Sequence, residues 1–280
     1  MSERGARVLV LEGNPPELLA ARYSAGLPGM AEAYGAALRC HMPELEVEIL
    51  RPYFPDYTFD PSALEDVDGV VCTGSGVQWS ADDARARPFW ALFESAFLAG
   101  VPVLGSCWGL QVGAVVLGGA VEASPNGSEL GIARCVRLTD AGEDHSLHAG
   151  RSMEFQALCI HRDEISAVPE GAIVTATNAH SAVQAMVSET GDHQFWGVQY
   201  HPEMNLMDMG LALNRVASTA WDDKASEINA MGADFRTLAT EAGRSDLASR
   251  HSIGAEILDR SIHTTELQNW VTTKLMPVPA

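Results

Sequence analysis

The amino-acid sequence predicts an α/β protein built on an open, mostly parallel sheet flanked by helices. In the first half of the chain, short apolar runs rich in β-branched residues alternate with segments of helical spacing. Strands that alternate with helices favour a parallel sheet covered on both faces. The last part of the chain has apolar spacings near three and four residues, which predict a C-terminal helical extension.

The strand-like runs of the first half lie at 7–11 (RVLVL), 47–50 (VEIL), 68–74 (DGVVCTG) and 101–105 (VPVLG). The first run ends at the turn-like GNPPE, and residues 28–40 then have helical spacing. A second helix is predicted at 86–99, because Pro88 is tolerated in a first turn and Gly100 can end the helix. The runs at 47–50 and 68–74 are expected to be buried strands.

From residue 130 the chain reads as a meander of strands laid against the first half. These runs are GIARCVRL, FQALCI, AIVTAT, AVQAMVS and FWGVQY. The best candidate for a loop is 140–151. We predict one main domain over residues 1–210 and a helical extension over residues 211–280.

Composition limits the classes of function. The 280 residues are 46% hydrophobic, enough for a large core, and the formal net charge of −19 disfavours binding to nucleic acid or to an anionic membrane surface. An apolar segment of about 18 residues, as a membrane span requires, is absent from the sequence. The cysteines at 40, 72, 107, 135 and 159 lack close pairs, so reduced thiols and a soluble, cytoplasmic protein are expected.

The stretch GSCWGLQ places Cys107 where a strand must turn sharply into a helix. Gly105 and Gly109 flank the cysteine at the two places where a side chain would crowd such a turn. A helix N-terminus favours the reactive thiolate, and the backbone N–H of Trp108 would point into the same space to bind an oxyanion. A small buried hydrophobic cysteine is the alternative interpretation.

A nucleophilic thiol needs an imidazole base and a group that orients it. His201 follows the run FWGVQY and precedes Pro202, which favours an extended conformation. In an extended segment residues i and i+2 lie on the same side, so Glu203 can orient the ring of His201. Taken singly, His201 could be a surface histidine and Glu203 a solvated acid, but together with Cys107 they form a candidate triad.

These motifs resemble those of the class I, triad-type glutamine amidotransferases over about residues 7–210. GSCWGLQ is similar to the nucleophile motif of that family, and YHPE is similar to its histidine–glutamate motif. The resemblance implies a flavodoxin-like three-layer fold. It also implies that Cys107 attacks the γ-carboxamide of glutamine, that His201 moves the proton to departing ammonia, that Glu203 orients His201, and that water hydrolyses the thioester.

The resemblance also implies roles for flanking residues. VVCTGSGVQWS resembles the glycine-rich oxyanion loop of the family. By this resemblance, Ser75 or Gly76 supplies a second N–H beside that of Trp108. The TGSG sequence departs from the Gly-Gly-Pro or Pro-Gly-Pro run that is usual there. The remaining candidates for substrate binding are Gly74, Gln111, His161, Arg162 and Asp163. Gln111 could instead be a polar residue on an exposed helix face, and His161 a core histidine with satisfied hydrogen bonds.

Three functions remain open from the sequence. The first is a glutaminase that passes ammonia to a separate synthase; the second is a γ-glutamyl peptide or amine hydrolase with the same triad. The third is a non-catalytic regulatory subunit, which the presence of all three triad residues disfavours. The hydrolytic reaction is expected to need no cofactor. A metal site is not expected either, because His145 and His148 lack a closely paired second set of ligands.

Overall fold

A computed structural model describes residues 5–191, 193–218 and 224–276 of the chain. The strands are β1 (Arg7–Leu11), β2 (Glu46–Leu50), β3 (Gly69–Cys72), β4 (Val103–Ser106), β5 (Ala120–Ala123), β6 (Glu129–Leu138), β7 (Glu154–His161), β8 (Asp163–Ala167), β9 (Ile173–Thr177), β10 (Ala185–Ser188) and β11 (Phe195–Val198).

The helices of the main body are α1 (Pro16–Ser24), α2 (Met30–Arg39), α3 (Arg87–Leu98), α4 (Trp108–Val116) and the single turn α5 (Asp140–Glu143). Those that follow are α6 (Leu206–Ser218), α7 (Ala225–Thr240), α8 (Ser245–Arg250), α9 (Ala255–Leu258), α10 (Arg260–His263) and α11 (Thr265–Trp270). A π-helical turn continues α11 over Val271–Leu275, and short 3₁₀ turns span Pro61–Leu64, Ala84–Ala86 and Ser146–His148.

The main sheet has nine strands in the order β2-β1-β3-β4-β11-β10-β9-β6-β7. From β2 to β11 neighbouring strands are parallel, and from β11 to β7 they are antiparallel. The predicted α/β class with a mostly parallel sheet in its first half is therefore confirmed. The second-half strands do not form a separate layer, because β11 pairs in parallel with β4 and extends the same sheet.

Side chains on alternate faces of the sheet build two cores. Val8 and Val10 of β1 join one core with Tyr34 of α2, whereas Leu9 and Leu11 join the other. The second core contains the aromatic side chains of α3 and the apolar side chains of α4. Because successive side chains of a strand point to opposite faces, the continuous apolar run RVLVL is the pattern of a strand buried on both sides.

The structure differs from the sequence prediction in three elements. Residues 16–24 form α1, although GNPPE predicts a turn; Pro16 occupies the first helical position, where its missing N–H costs nothing. The strands β5 and β8 pair with each other in a small second sheet that the sequence did not predict. Strand β2 lies at the edge of the main sheet and is partly exposed rather than buried.

The helices after β11 pack onto the main body. A third core joins Met209 and Leu213 of α6 and Phe235 of α7 to Ile132 and Leu158 of the sheet. The end of the chain reaches the first core, where the Trp270 ring lies against Gly69. Within the described ranges, the helices are all too short or too polar to cross a membrane. The predicted division at residue 210 falls inside α6 and stays a prediction.

Candidate active site

The candidate site lies where four parallel strands end. The segments that follow β1, β3, β4 and β11 carry Asn14, Gly74, Cys107 and His201, and all but Gly74 line one cavity. Gly74 lies beside them, since a Cβ built on it would be 2.7 Å from Cε1 of His201 and 3.5 Å from Cβ of Cys107. Ligands of open α/β sheets bind at this edge because the carboxyl ends of parallel strands meet there.

Cys107 occupies a sharp turn between β4 and α4. Its backbone has φ 52° and ψ −109°, which is a conformation that non-glycine residues rarely adopt. The turn is held by a hydrogen bond from its N–H to the carbonyl oxygen of Val198 at 2.7 Å. The flanking glycines are required sterically: a Cβ on Gly105 would lie 2.6 Å from the carbonyl of Gly109, and one on Gly109 would lie 2.3 Å from the carbonyl oxygen of Cys72.

The His201 side chain is buried and oriented by Glu203. Nδ1 of His201 lies 2.7 Å from Oε1 of Glu203, and both side chains are almost fully buried. Burial alone would lower the pKa of His201, but the negative charges of Glu203 and of a Cys107 thiolate outweigh it and raise the pKa to about 10. The structure thus brings together the Cys107 thiol, the His201 imidazole and the Glu203 carboxylate, the three groups of the candidate triad.

The loop after β3 lies beside the triad. Its hydroxyl groups tie it to the loop after β1, since Oγ1 of Thr73 accepts from the Gly13 N–H and Oγ of Ser75 donates to the Gly13 carbonyl. The N–H of Gly76 donates to Oδ1 of Asn14 at 2.9 Å, so this N–H is already engaged. Of the two donors expected from this loop, Ser75 is the one that remains a candidate.

Four of the five predicted substrate-binding residues form a connected group, and the fifth, Gly74, lies beside Cys107 and His201. Nε2 of Gln111 donates to the main-chain carbonyl of Asp163 at 2.7 Å, and Nδ1 of His161 lies 3.1 Å from the same oxygen. Arg162 makes a bidentate ion pair with the Asp163 carboxylate and donates to the carbonyl of Gln78. Gln111 is buried rather than on an exposed helix face, and His161, which is also buried, has partners on both ring nitrogens.

The cavity has a volume of about 500 Å³. Its lining includes many residues besides those predicted from the sequence. Beyond the triad, an apolar wall comes from α1, α2 and α6, from the segments beside these helices, and from strands β6 and β7. Its members are Ala21, Ala25, Leu27, Met30, Leu130, Ile160, Met204, Leu211 and Ala212. The sequence does not reveal this wall, because its residues are scattered over elements whose packing the local pattern does not specify.

The chain also matches the sequence profile described as "Glutamine amidotransferase class-I" over residues 38–216, which is more than half of its length. The chain belongs to the class I glutamine amidotransferase family. This confirms the family expected from the GSCWGLQ and YHPE motifs and supports a cysteine-based amide hydrolase.

Two relatives of this class I glutamine amidotransferase differ in how much of the chain they match. A γ-glutamyl-L-1-hydroxyisopropylamide hydrolase from a Pseudomonas species is 27% identical over 279 residues, which cover 97% of this chain and 94% of the relative. A glutamine-hydrolysing GMP synthase from Shewanella baltica strain OS155 is 32% identical over 149 residues, 52% of this chain. The matched region is only 27% of that synthase.

Solved structures show the same fold. A glutamine amidotransferase from Thermotoga maritima superposes with a TM-score of 0.61 at 17% identity and covers 98% of this chain and 100% of its own. A glutamine amidotransferase from Methylobacillus flagellatus gives a TM-score of 0.55 at 17% identity, with 96% of each chain covered.

In this class I glutamine amidotransferase, one group within the described ranges could surround a metal ion: Glu129, His161 and His180. Its carboxylate already accepts hydrogen bonds from Asn178, Gln184 and His161, so the group is a satisfied hydrogen-bond network. The two histidines weighed as ligands from the sequence lie elsewhere. His145 contacts Glu189, and His148 contacts Thr175 and Glu266.

Proposed function

We propose that this protein hydrolyses γ-glutamyl amides of small apolar amines through a Cys107–His201–Glu203 triad. The observation that carries the proposal is the placement of the Cys107 thiol, on a strained backbone at the N-terminal cap position of α4, beside a buried histidine–carboxylate pair in one cavity with an apolar wall. This combination supplies a nucleophile, a proton carrier and space for an amine larger than ammonia.

The proposed reaction runs through a thioester. The Cys107 thiolate attacks the γ-carbonyl carbon, and the oxyanion is held by the backbone N–H groups of Trp108 and Ser75. The imidazolium of His201 gives its proton to the amine as the carbon–nitrogen bond breaks. His201 then takes a proton from water, which attacks the thioester and releases glutamate and the thiolate, while Glu203 holds the ring in place throughout.

The two ends of the substrate have separate surroundings. Following the family resemblance, the glutamyl end is assigned to Gln111 and to Gly74 and the segment 161–163. The amine must leave on the side of His201, since that residue protonates it. Met30, Met204 and Leu211 line this cavity together with His201, and their apolar side chains favour an alkyl substituent on the amine.

The similarity to a γ-glutamyl-L-1-hydroxyisopropylamide hydrolase supports a γ-glutamyl amide of a small amine as the substrate, and it covers almost the whole chain, including α6, which helps to line the cavity. The 32% identity to a GMP synthase favours a second candidate, a glutaminase that releases ammonia to a separate synthase chain. Both candidates share the chemistry and differ in the amine that leaves. We retain a cytoplasmic location as a proposal, with which the five free cysteines agree.

The test is amine release by the purified chain from γ-glutamyl isopropylamide, γ-glutamyl glycine and L-glutamine. We expect the highest kcat/KM for the isopropylamide. Cys107→Ala should reduce turnover to background, whereas Cys159→Ala, which removes a buried thiol of β7 outside the cavity, should retain it.

Each other result would change the assignment. Faster turnover of glutamine would replace the proposal with the glutaminase candidate. Turnover that persists in Cys107→Ala, or none with any of the three compounds, would contradict triad-based hydrolysis.

A further inference from the structure

The segment that carries the proposed base is a loop, and the C-terminal part of the chain holds it. Residues 199–205 join β11 to α6 without regular secondary structure. The main sheet contributes one hydrogen bond to this segment, from the His201 N–H to the carbonyl oxygen of Leu158 at 2.8 Å. Pro202 has no N–H to donate. Within the loop, the carbonyl oxygen of His201 accepts from the Met204 N–H at 3.3 Å, and further hydrogen bonds to the carbonyls of the loop come from the C-terminal part of the chain.

Arg260 binds three consecutive carbonyls of the loop. Its Nη1 donates to Met204 at 2.7 Å and to Pro202 at 3.3 Å, and its Nη2 donates to Glu203 at 2.7 Å. The guanidinium is half-buried and also faces the negative charges of Glu203 and Asp208. A planar fork with fixed N–H directions defines the positions of three carbonyls in a way that a single ammonium group cannot.

His263 binds the fourth carbonyl. Its Nε2 lies 3.1 Å from the carbonyl oxygen of His201 itself. Burial lowers the pKa of His263 to about 4, assisted by the positive charges of Arg260 and Arg151, so the ring is neutral at neutral pH. Since a carbonyl only accepts, the neutral ring must carry its proton on Nε2 and donate it.

We propose that Arg260 and His263 are positioning residues that hold the backbone of residues 201–204 so that the His201 ring meets Glu203 and Cys107. The proposal rests on the triad of the proposed function. It assigns a role to the helical extension that the sequence left without one. Neither side chain lines the cavity, so both act through the loop rather than on the substrate.

The first test compares Arg260→Gln, Arg260→Lys and Arg250→Gln. Arg250 is a matched control because it lies in the same extension, is exposed and pairs with Asp234. We expect Arg260→Gln to lower kcat by about 10- to 100-fold with little change in KM, since small displacements of a reacting group cost that much. Arg260→Lys should fall between wild type and Arg260→Gln, and Arg250→Gln should match wild type.

The pH profile of kcat/KM distinguishes a loss of positioning from the loss of the positive charge of Arg260. If Arg260→Gln loosens the contact between Glu203 and His201, the pKa of His201 falls and the basic limb of kcat/KM moves to lower pH. Loss of a positive charge alone would raise that pKa and move the limb upward. Unchanged kcat, a change in KM alone, or an upward shift of the limb in a folded variant would overturn the proposal.

Alkylation of Cys107 by iodoacetamide, followed by mass spectrometry of its peptide, tests the same positioning without any substrate. At mildly acidic pH we expect slower alkylation in Arg260→Gln than in wild type, and equal rates would overturn the proposal. If Arg260→Gln does not fold, His263→Phe takes its place, with the same expectations. Absence of turnover in wild type would contradict the proposed function, whereas the alkylation comparison would still decide on positioning.

Discussion

At the scale of single residues, the triad could be predicted because its chemistry leaves a local pattern in the sequence. Glycines on both sides of Cys107 and a His-Pro-Glu run after a strand are such patterns. Gly105 and Gly109 prove to be required by contacts shorter than a Cβ allows. Arg260 and His263 could not be found this way, because they reach the triad from about 60 positions away and bind only its backbone.

The pKa of His201 leads to a prediction for Glu203→Gln. The charge of Glu203 is the strongest cause that raises the pKa of His201, so its removal should lower that pKa from about 10. Because His201 must be protonated to release the amine, the basic limb of kcat/KM should move to lower pH, with activity best retained at the acidic end. The profile is measured with γ-glutamyl isopropylamide in wild type and variant. An unchanged basic limb would show that Glu203 does not control the ring.

At the scale of elements, the strands that could be predicted from the sequence were those that lie in long, buried apolar runs. Strands β1, β3 and β4 are buried at most or all of their positions; β1 and β3 lie within runs identified in the sequence, and β4 overlaps the run at 101–105 and extends it by one residue. Strand β2 has β-branched apolar residues as they do, but it also carries Glu46 and Glu48 and lies at the edge of the sheet. The strands β5 and β8 are short and pair only with each other, so their sequences carry little signal.

The turn from β4 to α4 gives an element-scale prediction for Gly105→Ala. The new Cβ would lie 2.6 Å from the carbonyl of Gly109 and 2.8 Å from the amide nitrogen of Leu110, both of which are backbone atoms. We expect the strand and helix to separate, with loss of activity and a lower midpoint of thermal unfolding. Gly254→Ala is the control, because its Cβ would meet the movable carboxylate of Glu256. Equal activity in both variants would argue against close packing at this turn.

At the scale of the whole molecule, the sequence predicted the helical character of the last 70 residues but not where they pack. Trp270, Val271 and Leu275 belong to the same core as Val8 and Tyr34. Such contacts join distant parts of the chain, and local spacing contains no information on them. The extension therefore contributes to the main core and to the loop that carries the triad, and we expect it to unfold together with the sheet.

A substitution of Glu266 tests whether the helical extension unfolds together with the sheet. The buried carboxylate of Glu266 accepts two hydrogen bonds from Arg151 and one from Tyr200, the residue before His201. Although burial alone would raise the pKa of Glu266, the charge of Arg151 holds it well below its usual range. Glu266→Gln would leave the Arg151 guanidinium buried without a counter-charge, a change that costs about 3–5 kcal/mol.

We therefore expect Glu266→Gln to lower the free energy of unfolding measured in urea, with circular dichroism and tryptophan fluorescence giving one coincident transition. Glu154→Gln is the control, since Glu154 pairs with Arg137 at the surface and should change stability little. Two separate transitions, with the helical extension melting first, would mean that residues 211–280 form an independent unit and would contradict the shared core as the source of its stability.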